Sequence, residues 1–323
     1  MVQLGKFERY LIEEFFDDYR AGEMTHRTFT RRVAFIMGSM AAASAAMLLV
    51  GCTAEEVPRS TDPMPTPSAA TTGTATASAG PVPGAKSPLS VPEGAAGLTT
   101  ATVRFASGGT DISGYLARPE SSAAGPAVLI CHENRGLTPH IQDVARRFAK
   151  AGYAALALDL LSREGGTASL DSDAVSGALT SAGPARHVGD FAAAFDYLQG
   201  QDFVESGRIA MNGYCFGGGI TWQAATQLPG LKATAAFYGP APDLNKVSAI
   251  KAAAFGVYAE LDERITGAMP ALRDALDATT VTHQLTVYPG VGHAFHNDTG
   301  ERYNGTQATA AWNDTLSWFE QHV

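Results

Sequence analysis

The chain has 323 residues, of which 45% are apolar and 17% charged, a composition that allows one large globular domain with additional segments. Its formal net charge is −9, which argues against nucleic acid as a partner because phosphate binding requires clustered Lys and Arg. Three cysteines, Cys52, Cys131 and Cys215, lie far apart and form neither a CxxC motif nor a Cys/His cluster. We therefore predict no metal site and no disulfide framework.

The first 32 residues combine acidic and apolar side chains. Phe7, Leu11 and Phe15 recur at helical spacing. This spacing predicts a short amphipathic helix within residues 1–32.

Residues 33–52 form a candidate export segment. They follow two consecutive arginines, carry no charge, and end in the sequence LVGC, whose last residue is Cys52. The arginine pair resembles a twin-arginine signal, and LVGC resembles a bacterial lipoprotein cleavage box whose cysteine becomes the lipidated first residue. An uncleaved transmembrane helix is the alternative, because the apolar run is long enough to cross a bilayer. Both interpretations predict an exported bacterial protein, anchored in the membrane and facing the periplasm or the cell exterior.

Residues 53–97 are dominated by Thr, Ala, Ser, Pro and Gly and include the stretch PMPTPSAATTGTATASAGPVPG. They show no periodic apolar pattern, and so little hydrophobic mass cannot offset the entropy lost on ordering the chain. We predict a disordered linker that lets a folded domain, residues 98–323, stand off the membrane.

The region 98–323 alternates short apolar runs with amphipathic stretches. It opens with two alternating runs around the turn SGGT, which predict a β-hairpin. The remaining predicted elements are strands at 127–131, 153–158, 208–212, 233–238, 253–258 and 283–288, and helices near 140–151, 186–199, from 217, near 266–277 and near 306–321. Buried strands joined by helices indicate an α/β protein with a mostly parallel sheet of about eight strands and helices on both faces. This order resembles the α/β-hydrolase fold.

Polar side chains collect where the predicted strands end. In open α/β sheets, ligands bind at the carboxyl ends of the strands, so that edge is where functional residues are expected. The candidates at this edge are Cys131 to Arg135, Asp159, Cys215, Tyr238, Asp262 and His293.

One of these strand ends carries a cysteine between glycines. The run Gly213-Tyr214-Cys215-Phe216-Gly217 matches G-x-nucleophile-x-G, a sharp strand-to-helix turn, with Cys in the place usually taken by Ser. The glycines are needed because such a turn leaves no room for Cβ atoms beside the nucleophile. The N-terminus of the following helix would favour the thiolate. A structural cysteine, beside glycines that let helix and strand pack, is the alternative that this motif leaves open.

The order of the candidate residues favours the catalytic interpretation. Cys215 is followed by Asp262 just after one predicted strand and by His293 just after the last, in the order nucleophile, acid, histidine. A histidine held by an aspartate takes the thiol proton or stabilises the thiolate. Asp262 could instead cap the next helix. The alternatives for the acid and the histidine are Glu260, Glu263 and His296.

Together these sequences resemble the dienelactone hydrolase family of α/β-hydrolases, over roughly residues 100–321. The matching pieces are CHENRG after the third strand, AGYAALALDLL, GYCFGG, the aspartate after the seventh strand, and GHAF around the histidine. The resemblance implies that Cys215 is the nucleophile, His293 the base, and Asp262 the acid that orients it.

The resemblance also implies roles for residues around the thiol. Glu133 would contact the resting thiol and gate its activation, and the backbone N–H groups of Phe216 and Asn134 would form an oxyanion hole. From the residues alone, Glu133 could also be a helix cap or a partner of Arg135. His132 is interpreted as a hydrogen-bonding neighbour rather than a second base.

The chain departs from the family where a substrate carboxylate would bind. Family members carry an arginine four residues after the catalytic histidine, and here that position is Asn297. The segment 171–182, where another arginine would be expected, has none. Arg135, Arg163 or Arg186 could substitute, because a guanidinium suits a carboxylate. The candidate substrate-binding residues are therefore Arg135, Tyr238 and, at the departing position, Asn297.

The sequence thus predicts a hydrolase that cleaves a small-molecule ester or lactone through a Cys-His-Asp triad and an acyl-enzyme, carboxymethylenebutenolidase-like, with no metal and no organic cofactor. Two alternatives use the same fold: a non-catalytic, membrane-anchored binding lipoprotein, and a redox-active thiol protein. The sequence sets neither the natural substrate nor the oligomeric state, and a monomer is compatible with it.

Overall fold

The computed structural model describes residues 4–49, 82–121 and 123–323. They belong to two compact units, Met1–Ser78 and Ala79–Val323. Cys52 and most of the predicted linker lie outside the described residues.

The described part of the first unit consists of three helices: α1 (Lys6–Arg20), α2 (His26–Met37) and α3 (Met40–Leu49). The ring of Tyr19 in α1 stacks on that of Phe29 in α2, with centroids 5.5 Å apart. Helix α2 begins where the hydroxyl of Thr25 accepts the amide of Thr28, and ends at Gly38, which has φ 72°. Helix α2 continues across the predicted division between residues 32 and 33.

Most of the predicted membrane segment lies in helices α2 and α3. No single helix among the described residues has the length and apolar composition needed to cross a bilayer. Helices α2 and α3 meet those criteria only as a pair, and that pair bends by 104° at its break.

The second unit is built on one sheet of eight strands in the order β1-β2-β4-β3-β5-β6-β7-β8. β1 and β2 form the predicted antiparallel hairpin, β2 is antiparallel to β4, and the remaining neighbours are parallel. The prediction of a mostly parallel eight-stranded sheet is confirmed. The strands are β1 (Leu98–Ser107), β2 (Thr110–Pro119), β3 (Gly125–Cys131), β4 (Ala154–Leu158), β5 (Val204–Tyr214), β6 (Ala233–Phe237), β7 (Ala253–Ala259) and β8 (His283–Tyr288).

Helices connect the parallel strands. The predicted helix near 266–277 is split into two, and one helix, α5, was not predicted. The helices of this unit are α4 (Pro139–Lys150), α5 (Ser172–Ala182), α6 (Pro184–Gln199), α7 (Phe216–Ala225), α8 (Glu263–Thr266), α9 (Met269–Asp277) and α10 (Gly305–His322).

The central strands form the core of this unit. Every residue of β4, β6 and β7 is buried, which explains why these strands read as continuous apolar runs. The hairpin strand β1 at the edge of the sheet largely alternates between exposed and less exposed positions instead. Because the six parallel strands run in one direction, their carboxyl ends meet at one edge of the sheet, where the candidate residues lie.

The predicted domain start at residue 98 is too late. The carboxylate of Asp143 in α4 accepts the amide of Val91, at 2.6 Å, and Arg146 in the same helix donates to the carbonyl of Val91, also at 2.6 Å. The amide of Ser87 donates to Asp298 at 3.1 Å. Although it is rich in Pro and Gly, the described segment 82–97 is therefore bonded into the second unit.

Candidate active site

Cys215 occupies the single residue between the end of β5 and the start of α7. Its backbone has φ 57° and ψ −120°, a conformation rare for residues other than glycine. Close backbone contacts hold it there. A Cβ at Gly213 would lie 2.2 Å from the carbonyl oxygen of Gly217, and a Cβ at Gly217 would lie 2.5 Å from those of Cys131 and His132. The glycines on both sides are thus required by packing, as the sequence motif predicts.

The structure brings the predicted histidine and acid to this turn. A ring nitrogen of His293 lies within 4.8 Å of the sulfur of Cys215. Nδ1 of His293 lies 2.6 Å from Oδ2 of Asp262. A carboxylate can only accept, so the Nδ1 proton is donated to Asp262 and Nε2 is left as the basic nitrogen.

Asp262 immediately precedes α8, at the N-cap position that the sequence left as its alternative role, but it makes no side-chain cap hydrogen bond and its carboxylate bonds to His293. Burial alone would raise the pKa of Asp262, but the charge and hydrogen bond of His293 and the charge of Arg264 hold it below its ordinary value. The alternative acid Glu260 is instead bonded to the amide of Gly290, at 2.7 Å.

The alternative histidine, His296, lies in a different environment. It is buried, with its ring stacked on Tyr214 at 5.0 Å and edge-on to Phe237 at 5.2 Å. Burial holds the pKa of His296 well below its ordinary value, with Arg147 adding to the effect. His296 is therefore a neutral packing residue, whereas His293 faces the thiol.

Glu133 follows β3 by two residues and is buried. Its Oε2 accepts a hydrogen bond of 2.7 Å from Nδ2 of Asn297. Arg135, the partner that the sequence suggested for Glu133, is exposed. The structure instead joins the candidate gate to the residue that departs from the family pattern.

The two predicted oxyanion donors lie at the ends of adjacent strands. Phe216 is the first residue of α7, where helix N–H groups point along the axis toward the turn. Asn134 is buried in the loop after β3. The ring of Phe216 is stacked at 6.4 Å on His132 and meets His187 edge-on at 5.4 Å. These contacts fix the residue that follows the nucleophile.

His132 forms hydrogen bonds with its neighbours, the role that the sequence suggested for it. Its Nδ1 lies 2.6 Å from the carbonyl oxygen of Glu133, and its Nε2 accepts the amide of Leu160 at 3.4 Å. Burial lowers the pKa of His132. This histidine shapes the loop after β3 rather than facing the thiol as a base.

Tyr238 follows β6 directly and has φ 38°. Its amide donates to the carbonyl of Val257 at 2.7 Å, and its ring meets that of His293 edge-on at 5.0 Å. Tyr238 therefore packs on His293. The strained backbone gave no signal in the sequence.

The two other candidate carboxylate binders are paired elsewhere. Arg163 forms two hydrogen bonds to Asp190, at 2.6 and 2.8 Å, and Arg186 donates to Glu164 at 2.7 Å. Asn297 is also occupied, since its Oδ1 accepts the amide and the hydroxyl of Thr299, at 3.1 and 2.7 Å. Of the three candidate arginines, Arg135 is the exposed one.

The remaining described thiol is Cys131, the last residue of β3. It is fully buried, and burial raises its pKa well above the ordinary value. Cys131 and Cys215 are not joined by a disulfide. A buried thiol of raised pKa is poorly suited to redox exchange.

Comparison with known proteins shows which family the chain resembles. The model of the dienelactone hydrolase family matches residues 112–323. A protein of Methylorubrum extorquens is 33% identical over 224 residues, which are 65% of this chain and 77% of that protein. A protein of Salmonella typhi is 33% identical over 252 residues, 72% of this chain and 91% of that protein. Both are described as "Putative carboxymethylenebutenolidase".

Solved structures give the same result. A crystal structure described as "Putative Dienelactone Hydrolase", from Klebsiella pneumoniae, is 28% identical, with a TM-score of 0.65, and the match covers 70% of this chain and 99% of that one. A dienelactone hydrolase of Anabaena variabilis is 21% identical, with a TM-score of 0.57 and the same coverage. The second likeness bears on the fold alone.

Proposed function

The chain belongs to the dienelactone hydrolase family and is an ester or lactone hydrolase, and from that premise we propose that it acts through Cys215, His293 and Asp262 by way of an acyl-enzyme. The observation that carries the proposal is the position of Cys215. Its strained backbone aims the sulfur at the edge of the sheet where a ring nitrogen of His293 lies within 4.8 Å.

In the first half-reaction, Nε2 of His293 removes the thiol proton while Nδ1–H remains bonded to Asp262. The sulfur attacks the ester or lactone carbonyl, forming a C–S bond and a tetrahedral oxyanion. The backbone N–H groups of Phe216 and Asn134 are the proposed donors to that oxyanion. When the C–O bond breaks, the leaving alkoxide takes the proton from the imidazolium, and a thioester remains on Cys215.

In the second half-reaction, His293 removes a proton from water, and the hydroxide attacks the thioester carbonyl. The C–S bond breaks, the carboxylic acid is released, and the thiolate recovers its proton from His293. A thiolate leaves more readily than most alkoxides, so the tetrahedral intermediate returns to substrate unless the alcohol is a good leaving group. The proposed substrates are therefore activated esters and lactones.

The test is hydrolysis by the full-length protein of p-nitrophenyl acetate, dienelactone and related lactones. We expect turnover by the wild type and loss of at least about a thousandfold in kcat for Cys215→Ala. Undiminished turnover by Cys215→Ala, or no turnover of any ester or lactone by the wild type, would refute the mechanism.

Cys215→Ser is the matched variant, because it keeps a nucleophile of similar size. Under the proposal, the serine variant keeps a residual rate of hydrolysis that does not depend on a thiol, and iodoacetamide no longer alkylates position 215. Wild-type protein, in contrast, should be inactivated with one equivalent of label on Cys215. Full activity after complete labelling at that position would contradict a nucleophilic role.

We propose separately that the chain is exported and held at the membrane by lipid on Cys52. The support is the sequence alone: the arginine pair, the uncharged run and the LVGC box. Fractionation of cells that express Cys52→Ala tests this, with release from the membrane fraction as the expected result. Continued attachment with an uncleaved N-terminus would overturn the lipid anchor in favour of a transmembrane helix.

A further inference from the structure

The side chain of Asn297 is held in one orientation by its neighbours. Its Oδ1 accepts two hydrogen bonds from Thr299, so its Nδ2 must be the atom that faces Glu133, at 2.7 Å. The bond spans 164 positions of the chain and connects the loop after His293 with the loop after β3. Asn297 therefore fixes the Glu133 carboxylate at the catalytic edge.

Strand register places Glu133 and the thiol at the same edge of the sheet. Cys131 of β3 pairs with Gly213 of β5, and these strands are neighbours in the sheet. Glu133 and Cys215 each follow their paired residue by two positions, at the same end of adjacent strands. A substrate whose carbonyl meets the sulfur therefore binds at the edge of the sheet that carries the Glu133 carboxylate.

Three arginines of this unit are paired with carboxylates other than Glu133. Arg264 has Nη2 3.7 Å from Oδ1 of Asp262, so those two charges balance each other. Arg163 and Arg186 are paired with carboxylates of their own. The group bonded to Glu133 itself is an amide and carries no charge.

Resting on the proposed function, we propose that the acyl part of the substrate is uncharged and that Asn297 is a specificity-determining residue for this preference. A carboxylate on the acyl chain would approach a Glu133 carboxylate whose own hydrogen-bond partner is an uncharged amide, and like charges disfavour each other strongly at a partly desolvated site. Asn297 keeps the Glu133 carboxylate in place without neutralising it. The site is thus selective for neutral esters and lactones.

A matched pair of esters tests the preference on the full-length protein. p-Nitrophenyl butyrate and mono-p-nitrophenyl succinate share the leaving group, and they differ by a methyl group against a carboxylate at the far end of the acyl chain. We expect kcat/KM to be at least about tenfold higher for the butyrate. Equal or faster turnover of the succinate would overturn the proposal.

Asn297→Arg introduces a cation at the deciding position, and Asn297→Leu removes the hydrogen bond without adding charge. We expect the arginine variant to shift the succinate-to-butyrate ratio upward by about tenfold or more, and the leucine variant to leave succinate disfavoured. Circular dichroism checks that Asn297→Arg is folded. If the folded variant hydrolyses the succinate ester no faster than the wild type does, the role of Asn297 is contradicted.

Arg135 is the control, because its exposed guanidinium is the remaining candidate for a substrate carboxylate. Arg135→Gln should leave the ratio unchanged, and a selective loss of succinate turnover would refute the neutral preference. The wild-type ratio decides the question even if a variant fails to fold. Failure of the wild type on both esters would instead refute the hydrolytic mechanism, so the two failures are distinguishable.

Discussion

Gly217 lies two residues after Cys215, in the first turn of α7, and two opposing effects act on it. Alanine is intrinsically better than glycine in a helix by about 1 kcal/mol. A Cβ at this position, however, would lie 2.5 Å from the carbonyl oxygens of Cys131 and His132. These atoms belong to β3 and its loop and cannot move independently, so the steric cost exceeds the gain.

We therefore predict that Gly217→Ala destabilises the protein by about 2 to 4 kcal/mol and lowers hydrolysis, because relief of the contact must move the loop after β3. Urea unfolding and ester turnover are the measurements. The matched control is Gly189→Ala in α6, where a Cβ would meet no atom within 4 Å. That control should be neutral or stabilising by up to about 1 kcal/mol, and equal effects of the two changes would contradict the argument.

Sequence reasoning was effective for residues whose position follows from strand ends. Cys215, Asp262 and His293 each follow the end of a strand that the sequence predicts. Parallel strands bring their carboxyl ends together at one edge of the sheet. The Asn297–Glu133 bond could not be predicted in this way. It depends on the path of two loops that are 164 positions apart, and neither residue has a periodic or spacing signal.

At the scale of elements, a buried charge network joins α4 to the segment before β1 and to the loop after His293. Arg147 of α4 donates to the carboxylates of Asp143 and Asp298, the latter at 2.8 Å. Those carboxylates in turn accept the amides of Val91 and Ser87, at 2.6 and 3.1 Å. One arginine therefore holds two segments that are distant in the sequence.

This network also explains why the domain start was misplaced. Residues 82–97 lack an apolar periodicity, and their composition is that of a linker. Their order comes from hydrogen bonds to buried charges of α4, which composition does not reveal. Helix α5 was missed for a related reason: its sequence, SDAVSGALTSA, buries few large apolar side chains, so its helical pattern is weak.

Replacement of Arg147 by methionine tests the network. The change leaves the carboxylates of Asp143 and Asp298 buried without their cation, and we expect a loss of about 3 to 5 kcal/mol in the free energy of unfolding. The amides of Ser87 and Val91 should exchange with solvent faster, which hydrogen exchange with mass spectrometry measures.

The control for this prediction is Arg104→Met on the exposed face of β1. It removes the same charge and should change stability by no more than about 0.5 kcal/mol. If the two substitutions cost the same, the buried pairs of Arg147 do not order the segment before β1.

At the scale of the whole molecule, buried titratable groups make the fold sensitive to acid. Burial lowers the pKa of His187 to about 4, and it lowers those of His132 and His296 as well. Burial would raise the pKa of Asp298, but the hydrogen bond from His140 and the charge of Arg147 hold it well below its ordinary value.

These shifts act in the same direction over different pH windows. A histidine with a lowered pKa in the folded protein binds fewer protons than in the unfolded chain, so stability falls as pH drops from about 6.5 toward the folded pKa. An aspartate with a lowered pKa contributes stability above about pH 4, and that stability is lost as pH falls toward its folded value. As pH falls, stability is therefore lost first through the histidines and then through Asp298.

His187 gives the most direct test, because its contribution falls between pH 6.5 and about 4. Its Nε2 lies 2.8 Å from the carbonyl of Leu179, and glutamine can keep that hydrogen bond without titrating. Going from pH 7.5 to pH 5, the wild type should lose about 2 kcal/mol more stability than His187→Gln, measured by urea unfolding at both values. If the two proteins lose stability in parallel, His187 is not protonated on unfolding in this range. A larger loss in His187→Gln than in the wild type would reverse the sign of the argument and refute it.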